Sequence, residues 1–143
     1  MKKELSLENQ LCFPLYLTAK EIIKKYRPLL DKLDLTYTQY ITMMVLWEKK
    51  ELNVKTLGNI ILLDSGTLTP LLRKLEKKGY ISRIRNEADE RNLIISITKK
   101  GEELQEEVKN IPREVAKCID LTKEEAETLY KLLYKVIMGL EEK

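Results

Sequence analysis

Apolar residues recur at helical spacing twice in quick succession and then give way to alternation. Val54, Leu57 and Ile61 share one face of a short helix that Asn53 is placed to cap, its side-chain oxygen taking a backbone N–H that the first turn leaves orphaned. Leu68, Leu71, Leu72 and Leu75 form the stripe of a second helix. Asp64 and Ser65 offer its cap, and Gly79, after Lys77 and Lys78, its left-handed stop. Pro70 falls about one turn inside, where a missing N–H costs little, so it argues for an early start. Residues 80–85 and 93–98 are β-prone, with Leu93, Ile95 and Ile97 alternating against Ile94 and Ser96. The polar stretch NEADERN between them has nothing to give a core. Two short helices followed by a hairpin is the order of a winged helix-turn-helix.

The flanks read as helical. Residues 7 to about 33 carry Leu11, Leu15, Ile22 and Ile23 at mixed helical spacings, with Pro28 bending or ending the last turn. Thr36 caps a second helix through Tyr40, Met43, Met44 and Leu46 to Trp47. After the hairpin, Thr98 precedes a helix over about 99–109, which Pro112 breaks. Thr122 and Glu125 form a capping box for a last helix carrying Ala126, Leu129, Leu133, Val136, Ile137 and Leu140. The expected fold class is therefore mainly α with a small β-hairpin (α+β). Terminal helices with an unbroken apolar stripe on a small chain need something to pack against. At 143 residues and 43% hydrophobic content the chain is one domain in length with no boundary to draw, and a partner chain is the natural cover for that surface.

Charge sharpens this picture. The net charge is only +3, but residues 71–100 hold nine Lys and Arg against four Asp and Glu, while residues 101–143 hold seven against eleven. Positive potential thus gathers on the hairpin unit, which suits a polyanion, although a solvated charge pattern accounts for the counts equally well. Asp64, Ser65, Thr67 and Thr69 open the polar face of the second helix, where short side chains meet base edges and phosphates in a major groove, or merely cap the helix. Arg73 and Lys74 follow on that helix, and Arg83 and Arg85 lie on the first strand. Arg91 at the tip is suited to a minor groove, braced by Asp89; the other reading of the tip is an ordinary solvated turn. No apolar run is long enough to span a bilayer and no signal-peptide pattern opens the chain, so a cytoplasmic location without membrane contact is expected.

Candidate chemistry is narrowed by the absence of histidine. Cys/His zinc sites, Ser-His triads and histidine pH switches are excluded, and two cysteines cannot build a Cys₃ or Cys₄ metal site, so neither metal nor cofactor is expected. The thiols are inert or redox-active. Cys12 lies near a helix start, with Pro14 fitting the first turn, where unpaired N–H groups and the positive end of the helix dipole favour a thiolate. A thiolate attacks a peroxide oxygen, giving sulfenic acid and then a disulfide or an adduct with a small thiol. The alternative is a buried small hydrophobe between Leu11 and Phe13. Tyrosines number seven against one phenylalanine, and each has an ordinary reading as an amphipathic core residue.

LDSGTLTPLLRKLEKKGYISR followed by EADERNLIISIT, with QLCFPLY at 10–16 and LTYTQY at 35–40, resembles the MarR family of dimeric bacterial repressors. Within it the chain is similar to the organic-hydroperoxide-sensing branch and its thiol-based relatives among virulence regulators, from about Glu8 to the last helix. The resemblance implies a homodimer built from helices at about 7–33 and 99–143, and a winged unit at about 36–98 that reads double-stranded DNA, two units meeting successive major grooves of a pseudopalindromic operator. It also implies that Cys12 is the reactive cysteine, with organic hydroperoxide or another oxidant as signal. Tyr26 and Tyr37 match tyrosines whose hydroxyls reach the sensing sulfur of the partner, and Tyr16 lies one turn beyond Cys12. Cys118 stands where two-cysteine members carry a resolving cysteine, implying an intersubunit Cys12–Cys118 disulfide. Pro14 departs from the family residue at that position. Three alternatives stay open: a repressor gated by a small aromatic ligand at the dimer interface, a thiol peroxidase, and a protein-interaction module.

Overall fold

The buried apolar side chains of the described residues all fall between Leu30 and Val115, which decides where the molecule holds itself together. The computed structural model describes residues 1–86 and 89–141, the side chains of residues 86 and 89–92 excepted. Helix α1 spans Cys12–Asp31, α2 Tyr37–Lys49, α3 Val54–Ile61 and α4 Ser65–Lys77. Strands β2 (Ile81–Asn86) and β3 (Asp89–Ile97) form the hairpin, and α5 (Lys99–Val108), α6 (Ile111–Ala116) and α7 (Lys123–Glu141) follow. A short strand β1 (Glu51–Asn53) joins the hairpin in a sheet of order β1-β3-β2, antiparallel throughout.

Local chemistry explains most of the boundaries. Thr36 and Gln39 close a capping box on α2, Asn53 accepts the Thr56 N–H at 2.7 Å, and Asp64 accepts that of Thr67 at 2.8 Å. Thr122 and Glu125 do for α7 what Thr36 and Gln39 do for α2, at 2.9 and 3.1 Å. Gly79 takes φ +85°, which stops α4 and turns the chain into β2. In β3, Ile95 is buried opposite Leu52 and Arg83, so the Leu93–Ile95–Ile97 face is the inward one, as the alternation predicts.

Four expectations need correction. α1 begins at Cys12 rather than residue 7, because two single 3₁₀ turns, Lys3–Leu5 and Leu7–Asn9, precede it and Gln10 is extended. The Asn9 and Gln10 side-chain amides donate to the carbonyls of Lys3 (2.8 Å) and Glu4 (2.7 Å), offering the backbone partners that compete with a helix. Pro70 sits deeper in α4 than its first turn and leaves the exposed Gly66 carbonyl without an intrahelical donor. Pro112 does not simply end a helix; it lies in the first turn of α6, where its fixed φ is suited to starting one. Met44, placed with the apolar stripe of α2, is exposed.

The end of α4 is tied to both neighbouring segments. Asp34, in the left-handed region at φ 53°, closes the turn after α1; the Lys78 ammonium donates to its carbonyl and lies 3.5 Å from its carboxylate. Lys100, in the first turn of α5, donates to the Lys78 carbonyl at 2.7 Å. By contrast α7 buries none of its residues, and Leu5, Leu7, Leu11, Phe13 and Leu17 at the other end of the chain are exposed. No helix among the described residues is long and apolar enough to cross a membrane.

Candidate nucleic-acid interface and thiol sites

The first turn of α4 presents Asp64, Ser65 and Thr67 to solvent, with Thr69 half-buried one turn on. Asp64 is engaged as the cap: the Thr67 backbone N–H, then the Thr67 hydroxyl and the Gly66 N–H, hold its carboxyl below the usual carboxylate range. Of the outward polar side chains of that turn, Ser65 is the one the cap does not use. Arg73, Lys74 and Lys77 continue the exposed face, so the basic run lies on the side of α4 turned away from Leu68, Leu72 and Leu75. Arg85 is exposed on β2, whereas Arg83 is committed, its Nε and Nη2 both donating to Glu76 Oε1 at 3.1 and 2.9 Å. That guanidinium pulls the Glu76 carboxyl below its ordinary range. The side chains of Asp89 and Arg91, the remaining DNA candidates, lie outside the described residues.

A second group of functional candidates gathers where α1 meets α2. The rings of Tyr26 and Tyr37 stand 4.9 Å apart edge-on, and Tyr40, which sequence reasoning places only in the core stripe of α2, lies 5.9 and 6.2 Å from them. Tyr26 and Tyr37 border a cleft of about 330 Å³ that also includes Ile23, Arg27, Leu30 and Thr38. Tyr40 is 1% exposed, and burial first, then its two tyrosine neighbours, pushes its phenol up to about 12 from 10.0. Burial also raises Tyr37, and burial together with Tyr37 raises Tyr26. A phenol shifted this way contributes its full stability below the ordinary phenol range and loses it as pH climbs towards about 12. Tyrosinate absorbance on alkaline titration is therefore expected to show a late-ionising set that includes Tyr40. In Tyr40→Phe that late step diminishes; an unchanged titration contradicts the cluster. Tyr16 stands apart, exposed, with the Lys20 ammonium 5.9 Å above its ring.

Cys12 is the first residue of α1, and within the single chain its thiol is exposed rather than buried between Leu11 and Phe13. Pro14 is in the first turn, where the helix asks no N–H of it. Cys12 and Tyr26 share this helix at positions 14 residues apart, about 21 Å at 1.5 Å per residue, so they cannot touch within one chain. Cys118 follows α6; its N–H donates to Val115 at 2.9 Å and its thiol is also exposed and free. It lines an apolar groove of about 300 Å³ with Leu17, Thr18, Ile22, Val115 and Ile119, beside the middle of α1 rather than beside Cys12. One chain thus brings together neither the two thiols nor Cys12 and Tyr26, although Tyr16 lies one turn from Cys12.

The family model described as transcriptional regulator SarA/Rot matches residues 24–108. Over 136 residues, 95% of this chain and 93% of the relative, the sequence is 48% identical to the HTH-type transcriptional regulator SarZ of Staphylococcus saprophyticus. It is 44% identical over 139 residues to the organic hydroperoxide resistance transcriptional regulator of Bacillus subtilis, covering 97% of this chain and 95% of that one. Among solved structures, reduced AbfR bound to DNA superposes with a TM-score of 0.79 at 32% identity, covering 99% of this chain and 100% of that chain; AbfR is a Staphylococcus epidermidis protein. Disulfide-formed AbfR superposes at 0.70 with 31% identity, covering 94% and 91%.

Proposed function

The chain belongs to the SarA/Rot family of transcriptional regulators, and on that premise we propose that it is a homodimeric DNA-binding repressor that lets go of DNA when Cys12 is oxidised. The observation that carries this reading is the separation on α1. A cleft bordered by Tyr26 and Tyr37 lies at one end and an exposed thiol about 21 Å away at the other, so a second copy is required to bring sulfur to phenol. The uncovered apolar residues of the N-terminal segment and α7 supply the surface on which that copy packs. The winged unit, with α4 and the hairpin outermost, is then displayed twice, once for each half-site.

The chemistry follows from the groups present. The Cys12 thiolate attacks the distal oxygen of an organic hydroperoxide; the O–O bond breaks, the alkoxide takes a proton and leaves as alcohol, and the sulfur is oxidised by two electrons to sulfenic acid. A second thiol, from the partner's Cys118 or a small molecule, condenses with it, forming a disulfide and releasing water. Phenol donors that had stabilised S⁻ lose that role, and the helices they fix shift. No further turnover follows, so the protein is a sensor consumed once per cysteine and restored by reduction.

The test is a gel-shift titration with cumene hydroperoxide on the wild type, Cys12→Ser and Cys118→Ser beside a non-reducing gel. Oxidant is expected to weaken wild-type binding by about tenfold or more, within the range by which one coupled site changes another. Cys12→Ser is expected to hold DNA unaltered, and a covalent dimer is expected to vanish in Cys118→Ser. Release that persists in Cys12→Ser points instead to a ligand-gated repressor and overturns the thiol sensor.

A further inference from the structure

We infer that Glu76 and Arg83 act together as a positioning pair that sets the angle of the hairpin against α4, so that Arg83 serves DNA reading through Glu76 and not by touching a phosphate. The inference rests on the DNA-binding reading above and adds to it a residue, Glu76, whose charge is the wrong sign for a DNA contact.

Alternate residues of a strand share a face, so Arg83 points to the same side of β2 as Ile81, which is buried in the core beneath α4. Core packing therefore anchors the root of the strand at Ile81. At Arg83 the apolar layer has run out, and the anchor becomes polar: one carboxylate oxygen of the last turn of α4 accepts two guanidinium donors, at 3.1 and 2.9 Å. Two charge-assisted bonds from one planar group fix direction as well as distance. Among the described residues no other ion pair joins α4 to the hairpin, and two positions further out Arg85 is exposed. The angle between the helix that meets the major groove and the hairpin that meets the flank is thus set at this contact.

Electrostatics makes the same point from the other side. Glu76 is the sole acidic residue between positions 65 and 86, inside the run RKLEKK. A bare carboxylate there repels phosphates, and a guanidinium at 83 that reached for DNA would leave it bare. Paired, the two contribute no net charge, so attraction is left to Arg73, Lys74, Lys77 and Arg85.

The two roles differ in the sign of one substitution. Glu76→Gln keeps every cation and removes a negative charge, so charge alone calls for tighter DNA binding, whereas loss of a positioning pair calls for weaker. The probe is a duplex isolated by the wild-type protein from a library with a random core, followed by fluorescence anisotropy, with thermal unfolding to monitor the fold. We expect Glu76→Gln to lose about tenfold in affinity, and the exchange Glu76→Arg with Arg83→Glu, which puts a carboxylate where a phosphate contact is impossible, to recover to within about threefold of wild type. Arg83→Lys, which keeps the charge without the fork, is expected to match Glu76→Gln and carries the test should that variant not fold. Binding by Glu76→Gln as tight as wild type overturns the inference, as does an exchange variant that folds normally and stays weak. A wild-type protein that isolates no duplex overturns the DNA-binding reading itself, and this pair's role with it.

Discussion

Leu133→Asp is expected to convert the protein to a monomer and to weaken its grip on a duplex with two half-sites by about a hundredfold or more. Leu133 lies on the α7 stripe with Leu129, Val136, Ile137 and Leu140, on a helix that buries none of its residues in its own chain. In the proposed dimer the stripe is covered by the second copy, and a carboxylate driven into such an apolar contact has no partner and opposes association by several kcal/mol. The penalty on DNA is larger than any one contact. Two winged units held together engage their half-sites at an effective concentration that separate units lack, a factor of about 10² to 10⁴. The core is spared, since its buried side chains end at Val115. Sedimentation velocity beside a DNA titration checks both halves of the expectation. A Leu133→Asp protein that stays dimeric removes α7 from the proposed interface.

Gly101→Val is expected to be the most damaging single substitution in the body of the fold, and even Gly101→Ala to cost about 3 kcal/mol, the upper end for forcing an atom into a packed site. A Cβ at this position falls 2.2 Å from the Tyr80 carbonyl oxygen and 2.8 Å from Ile97 Cγ1. The backbone has nowhere to retreat. Trp47 Nε1 donates to the Gly101 carbonyl at 2.9 Å, and the Gly101 N–H donates to the Thr98 hydroxyl, which in turn donates to the Gly79 carbonyl at 2.6 Å. Relief on one side breaks a hydrogen bond on the other. For a chain of this size the alanine variant is expected to unfold roughly 10 °C lower by calorimetry. A midpoint within about 2 °C of wild type shows that α5 can move off the hairpin root, contrary to the packing described.

What was legible in the chain depended on whether its cause was local. α4 was legible because both ends carry a chemical mark, Asp64 and Gly79, and four leucines agree on one face. β1 was not, because three residues carry no period and Glu51–Asn53 is a strand only by virtue of the distant partner Ile94–Ser96. Residues 7 to 11 have apolar spacing suited to a helix, yet the amides of Asn9 and Gln10 outbid it. The functional groups divide in the same way. The spacing near Cys12 placed it at a helix start, and Pro14 agreed. Arg83 read as one more basic residue, because the carboxylate that engages it lies seven positions back across a turn, where no helical or strand period links them. Tyr40 read as core, which it is, but its neighbours Tyr26 and Tyr37 turn that burial into a shared phenolic cluster.

The tie between Lys78 and Asp34 has a mechanical meaning. Asp34 closes the turn at the tyrosine end of α1, and Lys78 is the residue on which α4 stops, so one side chain clasps two helix ends that already share a core through Leu30, Leu72 and Leu75. The packing beneath resists movement, and the exposed pair adds about 1 kcal/mol at most. In the proposed sensor a tilt of the long first helix is passed to α4 through that shared core and its clasp, with no separate transmission element.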